Sequence, residues 1–484
     1  KPAPASDRRP AGFVITGTVF DENKNPVAYA SVVQKDAGHN GASTDEKGCF
    51  RLTLPSGRVS VVVSCVGMKK QTIEQAYQIA RERYAALGVD TDKAMEALGK
   101  ISISLHCWQA DDVTGFENQG GSLTGGIQVT GNYPGRARNI EELRADILKA
   151  ASLIPGHHRL NLHEIYGDFG GKKVDRNEVT PEHFASWIQW GKENGMKLDF
   201  NSTSFSHPKS GDLTLANPDK SIRDFWIEHT KRCRAISQAM GLAQDDPCIM
   251  NLWIHDGSKE VPANRLKYRQ ILKESLDEIF ATPYSHMKDC IEAKLFGIGL
   301  ESYTVGSYDF YLGYGAKYGK IVTLDTGHFH LTESIADKIS SLLLFTPEIM
   351  LHVSRPIRWD SDHVVILSDE LTDLAREVIR SKALDRVHIG LDYFDATINR
   401  IGAYVIGTRA TQKAFLMALL EPSSTLQGYE DTGRYFQRLA LSEELKSLPW
   451  QAVWDMFCEQ QGVPVGESYI AEIERYEHEV TSKR

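Results

Sequence analysis

The stretch Ile321-Val-Thr-Leu-Asp325-Thr-Gly-His328 decides how the chain is read. It is a short apolar run that stops abruptly in an aspartate, with a histidine three residues on. A run of that length, apolar at every second position and beyond, fits a strand buried on both faces, as in a parallel sheet. Its polar end then delivers titratable side chains to one edge of that sheet.

Outward from this stretch the same pattern recurs. The runs are Ile101–Trp108, Leu160–Ile165, Leu198–Ser202, Cys248–His255, Cys290–Phe296, Ile321–Asp325, Ile349–Ser354 and Val387–Asp392, with helical sequence between them. Eight strands alternating with helices make an α/β chain, a (β/α)₈ TIM barrel over 68–400. From about Arg400 the pattern is helical, through Leu416–Leu420 and Leu439–Leu448, so 401–484 reads as a C-terminal helical extension. At the other end, Met68 opens an amphipathic helix with Thr72 as its expected N-cap.

Residues 13–67 have another texture. Phe13–Phe20, Tyr29–Val33, Phe50–Leu54 and Val59–Ser64 are short strands separated by turn clusters such as Asp21–Asn25 and Pro55–Gly57, which predicts a small all-β sandwich. Residues 1–12 are polar and read as a flexible leader without a signal peptide.

Composition narrows the function. The apolar fraction of 41% suffices for a large core, and the formal net charge of −9 argues against a nucleic-acid partner. No apolar run reaches the roughly 18–20 residues of a membrane span. The seven cysteines are scattered and have no Cys-x-x-Cys spacing, which fits free thiols in a reducing compartment. The expected location is therefore cytoplasmic, with export left open by the N-terminal module.

The strand ends carry the chemistry. In a barrel of this kind the carboxyl ends of all strands meet at one face. They bring Glu292 and Lys294, then Asp325 and His328, then His352 with Asp360 and Asp362, then Asp392. Four aspartates, one glutamate and two histidines at one face would repel and be costly to desolvate unless cations join them. Mixed oxygen and imidazole donors suit Mn²⁺, Co²⁺, Zn²⁺ or Mg²⁺, and their number suggests two sites. Trp108 and Trp253 are candidates for stacking on an apolar face of a small ligand, and His163 for binding a hydroxyl. His330, His388 and Asp395 read as ordinary structural residues, Asp395 as a cap. The loop from Asp111 to Arg138 is glycine-rich and long enough to serve as a lid. These residues alone leave three classes open: a metal-dependent sugar enzyme, a barrel phosphodiesterase or endonuclease, and a non-catalytic sugar-binding protein of an uptake system.

Several motifs carry a closer likeness: His106-Cys-Trp-Gln109, Gly121–Gly126, Glu292–Gly299, Glu301–Gly306, His352-Val-Ser-Arg-Pro356, Arg358–His363 and His388–Asp392. Through them the region from Met68 to Arg484 resembles the L-rhamnose isomerase family. The resemblance implies an aldose–ketose isomerase of rhamnose metabolism that works as a homo-tetramer on L-rhamnose and L-rhamnulose with two Mn²⁺ ions. It also implies that Glu292, Asp325, His352 and Asp392 hold a structural metal, and that His328, Asp360 and Asp362 hold a catalytic one. The implied reaction is a metal-assisted hydride shift, with Lys294, His328, Asp360 and Asp392 as catalytic residues and Trp108, His163, Trp253 and Lys294 as sugar contacts. Separately, Gly17–Asp21, Pro26-Val27, Ala30–Val32, Thr44–Phe50 and Val66-Gly67 make the first region resemble a carboxypeptidase-regulatory-like (transthyretin-like) domain, a module without catalytic residues.

Overall fold

The computed structural model describes residues 13–484 apart from 21–23, 29, 35–40, 55–59, 65–69, 118–128, 296–301 and 359. The predicted leader at 1–12 lies outside the described residues, as do Gly121 and Gly125 of the long loop and Phe296 to Glu301 of two quoted motifs.

All eight predicted barrel strands form. They are β1 (Ile103–His106), β2 (Arg159–His163), β3 (Lys197–Ser202), β4 (Cys248–Leu252), β5 (Met287–Glu292), β6 (Ile321–Asp325), β7 (Ile349–Val353) and β8 (Val387–Leu391). Each pairs in parallel with the next, and β8 closes on β1 through Ile389↔Ile103 and Gly390↔Ser104. β6, β7 and β4 are buried at every position, which is why their sequence lacks polar alternation. The strands end earlier than the apolar runs. Trp108, Trp253 and Lys294 thus stand on the connections just past β1, β4 and β5, and Glu292 and Lys294 share the mouth of the barrel without sharing a strand face.

The helices between strands are set by recognisable caps. Asp219 accepts from Ser221 N at the start of Lys220–Gln244, and Ser368 accepts from Leu371 N at the start of Asp369–Arg380. Asn399 caps Arg400–Leu419 at Gly402 N, and most of that helix is buried. Beyond it come Ser423–Asp431, Tyr435–Leu445, Trp450–Gln460 and Tyr469–Glu479, the helical tail the sequence implies. The first long helix runs Lys70–Ala85, so Thr72 lies inside its opening turn and is not its N-cap. No helix among the described residues is long and apolar enough to cross a membrane.

At the N-terminus, Phe13–Thr18 pairs antiparallel with Cys49–Leu54, and Ser31–Gln34 pairs antiparallel with both Gly41–Ser43 and Val61–Ser64. Gly41–Ser43 was not foreseen: three small residues carry no strand signature and pair only because a neighbour offers an edge. The Thr44–Phe50 motif is turn chemistry. Thr44 Oγ donates to Val27 O and accepts from Ala30 N, Asp45 Oδ1 accepts from Lys47 N and Cys49 N, and Gly48 takes φ 73°. Val32, Leu52 and Leu54 form a small core with Ile15, Val19, Ala42, Phe50 and Val61, separate from the barrel core.

Because the two cores share no residue among those described, a chain starting at Met68 should keep the barrel's circular dichroism and cooperative thermal transition. A truncated protein that is expressed but molten would show instead that the barrel leans on the first region.

Candidate metal centre

Four consecutive strands build the charged half of the mouth. Glu292 is the last residue of β5, Asp325 the last of β6, His352 the last but one of β7, and Asp392 follows β8. Register places Asp325 beside His352 and His352 beside Gly390. A Cβ at Gly390 would stand 3.2 Å from His352 Cδ2, so glycine there leaves room for the imidazole. Likewise a Cβ at Gly327 would stand 2.7 Å from Asp360 Oδ1, while Gly327 N donates to Asp325 Oδ1 at 2.6 Å. The Asp-Thr-Gly-His sequence therefore needs its glycine so that a second carboxylate can approach the first.

Two groups of potential ligands result. Glu292, Asp325, His352 and Asp392 bring one donor atom each within 4.8 Å of one another, and Asp325, His328 and Asp360 do the same. His352 Nδ1 lies 3.0 Å from Glu292 Oε2, 3.6 Å from Asp392 Oδ2 and 3.7 Å from Asp325 Oδ2. His328 Nε2 lies 3.3 Å from Asp360 Oδ1 and 4.0 Å from Asp325 Oδ2. Asp325 thus belongs to both groups, which the sequence did not foresee. Asp362 lines the same cleft but stands outside the three-residue group, with a left-handed backbone at φ 42°.

The electrostatics are those of a site built for added positive charge. Burial pushes the Asp325 carboxyl up to about 8, against His328 and reinforced by Glu292, Asp392 and Asp360. Burial also lifts Asp392 to about 6, opposed by His352. Asp362 is driven well above the carboxylate range by burial and by Asp360, Asp392 and Asp325. Burial alone would raise Glu292 and Asp360 as well, but His352 and His328 hold the first low, and Lys294 and His328 the second. Despite burial, Glu292, Asp392 and Asp325 raise His352 to about 9. Asp325 Oδ2, where the two groups meet, is buried without a hydrogen-bond donor, and so is His352 Nε2. Hard oxygen donors with imidazole, crowded and short of donors, fit divalent cations.

The other half of the mouth comes from β1 to β4 and is apolar and amide-rich. Trp108 Nε1 donates to Asp392 Oδ1 at 3.1 Å and meets His163 edge-on at 4.4 Å. Asn201 Nδ2 donates to His163 Nε2 at 3.3 Å, and burial keeps that imidazole neutral by lowering it to about 3. Lys294 Nζ lies 2.5 Å from Asp360 Oδ2 and 4.5 Å from the centre of the Trp253 ring. All these residues line one cleft, together with Val113, Thr203, Phe205, Asn251 and Phe394. Val113 and its neighbour Asp112 both take left-handed φ, 58° and 60°, and the Asp112 carboxylate is gripped by both arms of Arg400 at 2.8 Å each.

Asn251 is the chief residue the sequence reading passed over. Its amide donates to Glu292 Oε2 while its oxygen accepts from Thr323 Oγ at 2.7 Å, so it orients a candidate ligand. An amide amid an apolar strand run was the available signal. His388 pairs with Glu348, His330 is exposed, and Asp395 caps Thr397 N at 2.8 Å; none lines the cleft. Ile165, just past β2, is buried and does not line the cleft.

An eight-stranded parallel barrel with paired carboxylate–imidazole groups at its mouth and a tryptophan-walled cleft beside them defines the class of barrel enzymes that work on small substrates with divalent cations. The chain belongs to the L-rhamnose isomerase family, whose description matches residues 71–484. It is 71% identical over 416 residues to an L-rhamnose isomerase of Bacteroides thetaiotaomicron, covering 86% of this chain and 100% of that one. L-rhamnose isomerases of Mannheimia succiniciproducens and Pectobacterium carotovorum match at 56% and 54% over 415 residues, 85% of this chain and 99% of each. A CarboxypepD_reg-like domain matches residues 15–96.

Metal-free protein should take up two Mn²⁺ per chain in isothermal titration, and Asp325→Asn should weaken both events where His328→Asn weakens one. The raised carboxyls and the His352 imidazole must give up protons to a cation, so binding should release protons and tighten as pH rises through the window from about 6 for Asp392, past about 8 for Asp325, to about 9 for His352. Affinity that does not change across that window would contradict the ligand set.

Proposed function

We propose that the chain interconverts L-rhamnose and L-rhamnulose. The observation that most supports this is 71% identity along the full length of a rhamnose isomerase, together with two buried groups of candidate ligands that include six of the seven expected residues, Asp362 lining the same cleft. The phosphodiesterase and sugar-binding alternatives have no comparable support.

Glu292, Asp325, His352 and Asp392 would hold one cation, and His328 and Asp360 with Asp362 the other, with Mn²⁺ as the expected ion. Cations so placed supply Lewis-acid polarisation of the sugar oxygens at C1 and C2. The protein does the rest. Lys294, aimed into the cleft by Asp360, donates a hydrogen bond to the oxygen at C1. Trp108 and Trp253 wall the sugar's apolar side and exclude water. His163, neutral and oriented by Asn201, holds a ring hydroxyl as the sugar opens. Trp108 also fixes Asp392, so one indole serves both halves of the cleft.

Among the described residues no carboxylate is left over as a dedicated base, since each one in the cleft is a candidate cation ligand. His163 already spends Nε2 on Asn201. The hydrogen therefore passes directly from C2 to C1 as hydride while the proton of the C2 hydroxyl passes to the oxygen at C1, and the reverse reaction retraces both transfers. Association of copies, as in the expected homo-tetramer, is supported by the helix Tyr435–Leu445, which buries none of its residues and leaves Tyr435, Phe436 and Leu439 exposed. A reducing, cytoplasmic setting fits the free cysteines, of which all but Cys49 among those described are buried.

Rhamnulose formed in D₂O should carry little deuterium at C1 after one turnover; extensive labelling would sink the direct transfer and turn attention to His163. His328→Asn should slow turnover by roughly a thousandfold or more, the equivalent of losing several kcal/mol of electrostatic stabilisation.

A further inference from the structure

A third cluster of ligand-type side chains lies behind the cleft: Glu164, His229 and Cys233, all buried. Its geometry is not that of a cation site. Arg176, 1% exposed, already brings a positive charge to within 3.4 Å of Glu164 Oε1. Both nitrogens of His229 face carbonyl oxygens, Nδ1 that of Arg176 at 3.1 Å and Nε2 that of Thr203 at 3.0 Å. A metal would have to displace one of these contacts and stand beside a guanidinium.

The cluster instead joins three connections. Glu164 directly follows β2, and its Oε2 accepts from Thr203 N at 3.3 Å. Thr203 directly follows β3. Arg176 Nη1 donates to Phe205 O at 2.7 Å, and its Nε and Nη2 take Glu117, on the connection after β1, at 3.0 and 2.7 Å. Thr203 and Phe205 line the cleft, and Phe205 packs at 6.0 Å from Trp253 and 6.4 Å from His163. A planar guanidinium with five donors can hold these groups in one geometry; an ammonium cannot.

We propose that Arg176 is a positioning residue for the sugar: with Glu117, Glu164 and His229 it sets the Thr203–Phe205 wall of the cleft. This rests on the rhamnose isomerase reading. The cation ligands come from β5 to β8, on the opposite side of the mouth, so the frame acts on sugar binding and leaves metal uptake alone.

The test compares full-length wild type with Arg176→Met, Arg176→Lys and Glu117→Gln, each loaded with Mn²⁺. Kinetics with L-rhamnose are measured beside metal content per chain. Arg176→Met should raise KM by about tenfold or more with a smaller fall in kcat, since ångström-scale misplacement of a positioning wall has effects on the order of 10²-fold in total. Arg176→Lys should recover part of that loss, and Glu117→Gln should raise KM by roughly threefold. Metal content should match wild type throughout. A merely structural residue would lower the yield of active protein and the melting temperature with KM unmoved. Should Arg176→Met fail to fold, the lysine and glutamine variants decide. KM within about twofold of wild type in those two overturns the proposal. So does an extra equivalent of Zn²⁺ that disappears in His229→Gln, which would make the cluster a metal site. An active wild type with unaffected variants refutes the frame alone; a wild type unable to isomerise L-rhamnose refutes the function, and the frame with it.

Discussion

Five carboxylates, those of Glu292, Asp325, Asp360, Asp362 and Asp392, crowd one end of the barrel against the side chains of Lys294, His328 and His352. Like charges held this close in a buried place would ordinarily spread apart or take up protons. Here they cannot spread freely, because Glu292, Asp325 and Asp392 stand at or just past strand ends fixed by pairing, and the connection that carries Asp360 and Asp362 is pinned back on itself by the Arg355–His363 bridge. The sheet therefore supplies the force that keeps mutually repelling groups together. Asp325 shows the result: it serves both ligand groups, and one of its oxygens has no donor.

The mouth is divided. Strands β5 to β8 supply charge; β1 to β4 supply tryptophan, histidine and amides. Lys294 and Trp108 cross the boundary, the first through its pairing with Asp360 over Trp253, the second through its hydrogen bond to Asp392. Such an arrangement suits a reaction that needs electrophilic activation at one end of a molecule and recognition of shape along the rest.

The barrel was legible because burial on both faces makes its strands apolar throughout, and because Asp325, His352 and Asp392 close their runs. What stayed hidden depends on contacts between distant segments. Asn251 looks like a stray amide until Glu292 and Thr323 are seen on either side of it. Gly327 and Gly390 look like ordinary turn and strand glycines until the carboxylate and the imidazole they admit are placed. Arg176 carried no signal at all, since its partners Glu117, Glu164 and Phe205 come from three separate connections. Strand ends were overestimated because apolar sequence continues into the cleft through Trp108 and Trp253.

The left-handed pair at Asp112 and Val113 gives the cleft a particular mechanical quality. Non-glycine residues in that conformation cost about 1–3 kcal/mol each where sterically strained, and a β-branched one is the least willing. Such a turn keeps its shape because Arg400, at the start of a buried helix, holds the Asp112 carboxylate in both hands. Val113 is thus a stiff stop rather than a soft flank. Moving it would strain an ion pair rooted in the helical layer, so the cleft wall at this point is set by the fold itself.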